Sequence, residues 1–304
     1  MLLLALSLLP LCLAPTPNAF QSLGNSKVTA VQTLDALKDQ GTAALWRSAP
    51  KLAPRQVTLN ELCQTTSLPQ KALDPTKTDI DPKTIADLFT KTLLACTAAA
   101  ALWLALPIDD SLRFTGAYLI AGVPIAILAI GSSAPSLLFL PYETFMSAKN
   151  KEQNRERICR HEAAHLLTAY CLGLPAESVS VAKGEPQVSL YDEDAAAQPG
   201  YLIDSEVMLP KLAVVAVAGL VAEADAFGGA LGASADLRLL DNLFLRSKPP
   251  IPAQAQQGIT RYAALMAWTI LKTNERALNA VSDALYRGEM LGECLRLAEE
   301  AERK

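Results

Sequence analysis

The segment His161-Glu-Ala-Ala-His165 constrains this chain more than any other, because it holds the only two histidines among 304 residues. On an α-helix, residues four apart lie on one face, so both imidazoles can reach one Zn²⁺ ion at about 2.0–2.1 Å. Glu162 is then placed to act as general base on a water at that ion. The alternative is a chance match on a surface helix, where polar residues at these positions cost little.

The sequence around this segment predicts a helix over residues 151–172. That stretch contains no Gly or Pro, Gly173 stands just past its end, and Pro175 follows. Apolar residues at 158, 164, 166, 167, 170 and 172 predict that the helix is largely buried. An unsatisfied buried polar group costs about 1–3 kcal/mol. A metal ion would satisfy both imidazoles at once.

A third ligand has to be Asp, Glu or Cys, since no histidine remains. The six cysteines are scattered without CxxC pairs, which argues against cysteine ligands and against a disulfide framework. The search for a carboxylate leads to two segments separated by a glycine-rich break, Ala218–Glu223 and Leu231–Leu237. Residues 209–227 are predicted to form one buried helix, and residues 236–246 the next.

Two segments resemble the FtsH-type membrane zinc proteases. Residues 161–178 are similar to the zinc helix of that family, and residues 218–237, AGLVAEADAFGGALGASADL, are similar to its second signature. The resemblance covers about residues 157–299. It implies that His161, His165 and Asp236 are zinc ligands and that Glu223 is a neighbour of the metal.

Without the resemblance, Asp236 is explained as a carboxylate interacting with a helix N-terminus, and Glu223 as a solvated side chain.

The chain departs from the family in two ways. Ala164 stands where the family usually has Gly, and the acidic stretch 187–194 more resembles a plant and algal plastid branch that lacks the ATPase module. A phosphate loop of the form G-x-x-x-x-G-K-[S/T] does not occur in the sequence. We therefore expect no ATP to be bound by this chain. Cleavage would be limited to flexible segments, or would depend on a partner that feeds in the substrate.

The predicted fold class is mainly α. We expect a helical FtsH-type zinc peptidase domain at 151–304, with a small β-ribbon formed by residues 178–182 and 187–191, preceded by a two-helix transmembrane hairpin. Apolar residues make up 51% of the chain and the net charge is only −4, so nucleic-acid binding has no electrostatic support.

The N-terminal residues are predicted to be targeting segments. Residues 1–19 have the apolar core of a signal peptide. Residues 20–60 suit a plastid transit segment or linker, and residues 61–91 a linker. Ordinary secretion is the alternative, which would place the protein in a secretory-pathway membrane.

Two hydrophobic stretches within residues 92–141 predict the transmembrane hairpin. Residues 92–107 are short for a span, and residues 114–141 are long enough to cross. Basic residues flank the pair on its outer sides, which predicts that both ends face one compartment, the stroma of a plastid. The alternative is a buried helical hairpin in a soluble domain.

These features predict a membrane-anchored zinc metalloendopeptidase that acts on proteins or peptides, as an FtsH-type hexamer or another homo-oligomer. The main alternative is a catalytically silent membrane adaptor or assembly factor for true FtsH complexes. A structural membrane protein with an incidental motif is the third possibility.

Overall fold

The computed structural model describes residues 26–73, 82–133, 151–180, 186–192, 203–230 and 233–303, together with Phe20 and Leu23. These residues are mainly helical, which confirms the predicted fold class. The chain divides into two compact units, one made of residues 1–76 and 155–304 and the other of residues 77–154. The histidine motif lies in the first unit.

The described elements follow one another in chain order as α1 (Lys27–Asp39), α2 (Leu59–Thr66), a 3₁₀ turn (Gln70–Leu73), α3 (Pro82–Leu104), α4 (Asp110–Ser133), α5 (Lys151–Leu172), β1 (Ala176–Ser180), β2 (Gln187–Leu190), β3 (Ile203–Asp204), α6 (Met208–Ala216), α7 (Ala218–Phe227), α8 (Ala233–Leu245), β4 (Ser247–Lys248), α9 (Ala253–Thr273), α10 (Glu275–Arg287) and α11 (Leu291–Arg303).

Helix α5 carries the histidine motif through the core of the first unit. From Cys159 to Leu172 most of its side chains are buried. Gly173 ends the helix in the left-handed conformation (φ 78°), and the N–H of Leu174 donates to Ala169 O at 2.9 Å. A glycine tolerates this φ without the steric cost that a side chain would add. Both ends of α5 therefore agree with the prediction.

The N-terminal part of the chain packs against the end of α5. The side chain of Trp46 is fully buried, with its ring centroid 5.3 Å from that of Tyr170. The N–H groups of Arg47 and Ala49 donate to Tyr170 O and Cys171 O at 3.3 and 3.0 Å. These bonds satisfy carbonyls that a helix end leaves without partners.

The folded unit around α5 therefore differs from the predicted domain of 151–304. It includes α1 and α2, which lie in residues predicted to be transit segment or linker. Five basic and two acidic residues between positions 20 and 60 suit a transit segment by composition, yet apolar side chains of this part, such as Leu34 and Val57, are buried here. The predicted signal peptide, residues 1–19, lies outside the described residues.

The predicted β-ribbon is present in the first unit. Strands β1 and β2 pair antiparallel, with Val179 opposite Val188 and Ser180 opposite Gln187. The first strand was predicted to begin at residue 178, two residues after β1 begins. Residues 181–185 lie outside the described part. A second, parallel pair was not predicted: β3 pairs with β4, which places Ile203 beside Ser247.

The second unit contains α3 and α4, which pack on each other. Glycine at 116 is required there, because a Cβ would overlap the indole of Trp103. Among the described residues, Asp110–Ala129 is the one stretch long and apolar enough to cross a membrane by length and composition, and Phe89–Leu104 is a shorter apolar stretch. Residues 134–141 of the predicted second span lie outside the described part, and the transmembrane hairpin stays a prediction.

Candidate metal centre

Helices α5 and α8 bring the three predicted ligands together. His161 and His165 lie on successive turns of α5, and their Nε2 atoms are 3.0 Å apart. Asp236 lies in the first turn of α8, with Oδ2 at 3.0 Å from His161 Nε2 and 3.6 Å from His165 Nε2. One ligand atom from each residue falls within 4.8 Å of the others, so the group could hold a metal ion.

Hydrogen bonds at the opposite ring nitrogens fix how the two imidazoles face this group. His165 Nδ1 lies 2.8 Å from Val215 O, and a carbonyl only accepts, so Nδ1 carries the proton. His161 Nδ1 lies 2.7 Å from the Oε1 atom of Glu223 and donates to that carboxylate. A neutral imidazole protonated on Nδ1 has its lone pair on Nε2. Both Nε2 lone pairs are therefore available beside Asp236.

The donor set fits a zinc ion. Asp236 Oδ2 is buried and has no hydrogen-bond partner among the described residues, although it lies 3.0 Å from His161 Nε2. Two ring nitrogens and a carboxylate oxygen bearing lone pairs repel one another unless a cation lies between them. Two histidines and one carboxylate are also a ligand set that zinc takes, with one position left for water or substrate.

The charged groups of the site shift the pKa values of His161 and Asp236 and so favour binding of a proton. Burial lowers the pKa of His161, but the adjoining carboxylates of Asp236 and Glu223 outweigh burial and raise this pKa to about 10. Burial raises the pKa of the Asp236 carboxyl, but the two adjoining imidazoles outweigh it and hold this pKa below its usual value. Without a metal, the cluster therefore binds a proton at neutral pH.

Glu162 follows His161 on α5, and its side chain reaches the β-ribbon. Its Oε2 accepts a hydrogen bond from the main-chain N–H of Val188 at 3.1 Å. An N–H that donates to Glu162 does not take part in the β1–β2 ladder, so it lies on the outer edge of β2. The predicted base is thus oriented by the edge of the ribbon.

Glu223 is buried beneath His161, with 2% of its side chain exposed. This agrees with its predicted place as a neighbour of the metal group rather than a ligand. Asp225, two residues later, points away and pairs with Lys272 at 2.9 Å. Cys159 and Cys171 are buried core residues, and burial raises the pKa of the Cys171 thiol to about 12.

Three contributors to the site were missed by the sequence analysis. The carbonyl of Val215 orients His165, Gly219 lies against His161, and Arg157 bonds to Glu223. At Gly219, a Cβ would overlap the ring of His161. Only Arg157 had a signal in the sequence, since it lies four residues before His161 and therefore on the same helix face.

Comparisons with protein-family models, with curated proteins and with solved structures find no match to this chain.

Proposed function

We propose that this chain is a membrane-attached zinc metalloendopeptidase of the FtsH type. The observation that carries the proposal is that His161 Nε2, His165 Nε2 and Asp236 Oδ2 lie within 4.8 Å of one another. Glu162 directly follows His161 on the helix that carries both histidines. His161, His165 and Asp236 would hold the zinc ion. When bound, zinc supplies a water whose pKa is lowered towards about 7 and a Lewis acid for the scissile carbonyl.

Glu162 is the proposed general base. Its carboxylate follows His161 directly in α5, and the Val188 N–H holds it on the side of the β-ribbon. A base positioned in this way takes the proton from the attacking water and returns it to the leaving amine. The reaction would then be the hydrolysis of a peptide bond.

The β-ribbon provides a place for an extended substrate. The outer edge of β2 can pair with the main chain of a peptide, which gives affinity with little sequence preference. Glu162 occupies the Val188 N–H at that same edge, so a peptide paired with the remaining main-chain groups of the edge would pass the proposed base. This supports a substrate class of flexible protein segments.

Because the sequence contains no phosphate loop, we propose no ATP-driven unfolding by this chain. Folded substrates would need a partner, and an FtsH-type hexamer or another homo-oligomer remains part of the proposal. The apolar helices α3 and α4 support attachment to a membrane, which we place in a plastid with the peptidase facing the stroma. A secretory-pathway membrane is the alternative location.

The test is Glu162→Gln in the purified 304-residue chain in detergent, with Glu156→Gln as the matched control. Glu156 is exposed on the same helix. We expect Glu162→Gln to keep about one zinc per chain and to lose cleavage of casein, an unstructured substrate, by roughly 100-fold or more. We expect the control to cleave as the parent does.

A Glu162→Gln variant that cleaves at the parental rate would refute the proposed mechanism. A folded parent that binds zinc without cleaving would favour the silent adaptor. A folded parent that binds no zinc would favour the structural membrane protein with an incidental motif.

A further inference from the structure

Arg157 lies one helical turn before His161 on α5, and its guanidinium is mostly enclosed, with 16% of the side chain exposed. Nη1 donates to Glu223 Oε2 at 3.1 Å and to Gly229 O at 2.8 Å. The carbon at the centre of the guanidinium lies 4.7 Å from the centroid of the Phe227 ring. These three contacts fix both the position and the plane of the group.

The first contact connects Arg157 to His161. The Glu223 carboxylate is divided between two partners, because Oε2 accepts from Arg157 while Oε1 accepts from His161 Nδ1 at 2.7 Å. A buried carboxylate is costly unless it has a charged or hydrogen-bonded partner. Arg157 supplies that charge and sets the rotation of the carboxylate. The carboxylate in turn sets the orientation of the imidazole.

The second contact connects Arg157 to the element that carries Asp236. Gly228 ends α7 in the left-handed conformation (φ 72°), and the carbonyl of Gly229 next to it accepts from Arg157. The chain continues from this turn to α8, which begins at Ala233 and has Asp236 in its first turn. Arg157 therefore contacts both Glu223, which bonds to His161, and the turn that precedes the helix of Asp236.

We propose that Arg157 is a positioning residue for the metal centre: it holds Glu223 against His161 and fixes the turn that leads to Asp236. The inference rests on the proposed metal site and adds a residue that contacts neither metal nor substrate. Removal of outer partners of metal-ligating histidines typically lowers metal affinity by about 10–100-fold.

The test compares Arg157→Gln with Arg160→Gln in the 304-residue chain in detergent. Arg160 lies on the same helix beside His161, but it bonds to Asn279 on α10. Zinc affinity is measured by competition with a chelator, and Co²⁺ absorption reports the geometry of the ligands. We expect Arg157→Gln to weaken zinc binding by about 10–100-fold and to change the Co²⁺ spectrum. Arg160→Gln should stay within about twofold of the parent.

A double-variant cycle separates positioning from general destabilisation. If Arg157 acts through Glu223, then Arg157→Gln combined with Glu223→Gln should cost little more zinc affinity than the larger single change. Independent losses that multiply would overturn the action of Arg157 on His161 through Glu223. If Arg157→Gln fails to fold, Arg157→Lys serves instead, with an intermediate loss expected because an ammonium lacks the planar fork of a guanidinium.

The outcomes also distinguish this inference from the proposed function. If the parent binds zinc and Arg157→Gln binds it with equal affinity, the proposed role of Arg157 is overturned and the proposed metal site is not. A folded parent that binds neither Zn²⁺ nor Co²⁺ overturns both.

Discussion

Three neighbouring residues restrict the orientation of the His161 ring. Glu223 accepts from Nδ1, Asp236 lies beside Nε2, and Gly219 gives the ring the space that any larger residue would occupy. Two of these neighbours are carboxylates, which favour the protonated form of the ring. In the proposed site, a metal ion would take the place of that proton.

The raised pKa of His161 predicts how the metal-free protein responds to pH. The pKa rises from 6.5 to about 10 on folding. A group whose pKa is raised on folding stabilises the folded state fully below its unfolded pKa, and that contribution is lost as the pH rises through the folded value. We therefore expect the free energy of unfolding of the metal-free parent to fall between about pH 6.5 and pH 10.

Urea denaturation in the presence of a chelator measures this effect, with His161→Gln as the reference. The difference in unfolding free energy between parent and variant should shrink across that pH range. A difference that stays constant from pH 6 to pH 10 would contradict the prediction. Zinc uptake should strengthen with rising pH over the same range, because the metal displaces a proton.

At the scale of elements, the β-ribbon and α5 meet through one hydrogen bond to Glu162. Val188→Pro deletes the main-chain N–H that makes this bond, and it leaves the β1–β2 ladder intact because that N–H points away from β1. We expect turnover to fall by roughly tenfold, since one hydrogen bond to a charged group contributes about 1.5 kcal/mol. Zinc content should be unchanged.

Ser189→Pro is the control for this prediction. By alternation along the strand, the N–H of Ser189 faces β1, so proline there should weaken the ribbon itself. Turnover and zinc content are measured for both variants beside the parent. Parental turnover in Val188→Pro would show that the ribbon does not orient the base.

The helices also show how much of the fold could be predicted from the sequence. The C-terminal end of helix α5 was predicted correctly because Gly173 and Pro175 mark its termination. The predicted single helix 209–227 was wrong, since α6 ends at Ala216 and α7 begins at Ala218. A continuous apolar stretch has no periodicity in which such a break could be seen. Yet the break matters, because Val215 in the last turn of α6 orients His165.

The proximity of His161, His165 and Asp236 could be predicted for a different reason. The spacing of the two histidines places them on one helix face, and the resemblance to the FtsH-type family pointed to Asp236. The position of Arg157 on the helix face of His161 could be seen in the sequence, but its contact with Gly229 could not. That contact and the contact of Val215 with His165 join distant elements and follow only from packing.

At the scale of the whole molecule, Glu299 connects the two ends of the first unit. Its carboxylate is fully buried and accepts from the N–H groups of Ala44 and Leu45 and from the hydroxyl of Tyr170, each at 2.9 Å. The bond to Tyr170 ties α11 to the helix of the metal ligands. The bonds to Ala44 and Leu45 hold the N-terminal residues in place.

Glu299→Ala should therefore destabilise the whole unit. We expect a loss of about 3 kcal/mol in the free energy of unfolding, because buried donors are left without an acceptor. Tryptophan fluorescence during denaturation reports the transition in a chain in which Trp103 and Trp268 are replaced by Phe, so that the signal comes from Trp46, which packs on Tyr170. Glu300→Gln, which alters an ion pair with Arg296 at a more exposed position, should change stability by less than about 1 kcal/mol. Equal stabilities for the two variants would contradict this role of Glu299.

The division of the chain also constrains its path relative to a bilayer. One compact unit is assembled from residues on both sides of 77–154. Segments can pack into one folded body only if they are in the same aqueous compartment. If residues between them cross a bilayer, as we propose, they therefore have to cross it an even number of times. A single crossing by α4 would separate Ala44 and Leu45 from Glu299, so hydrogen bonds in the folded unit, and not hydropathy, would set the parity of the crossings.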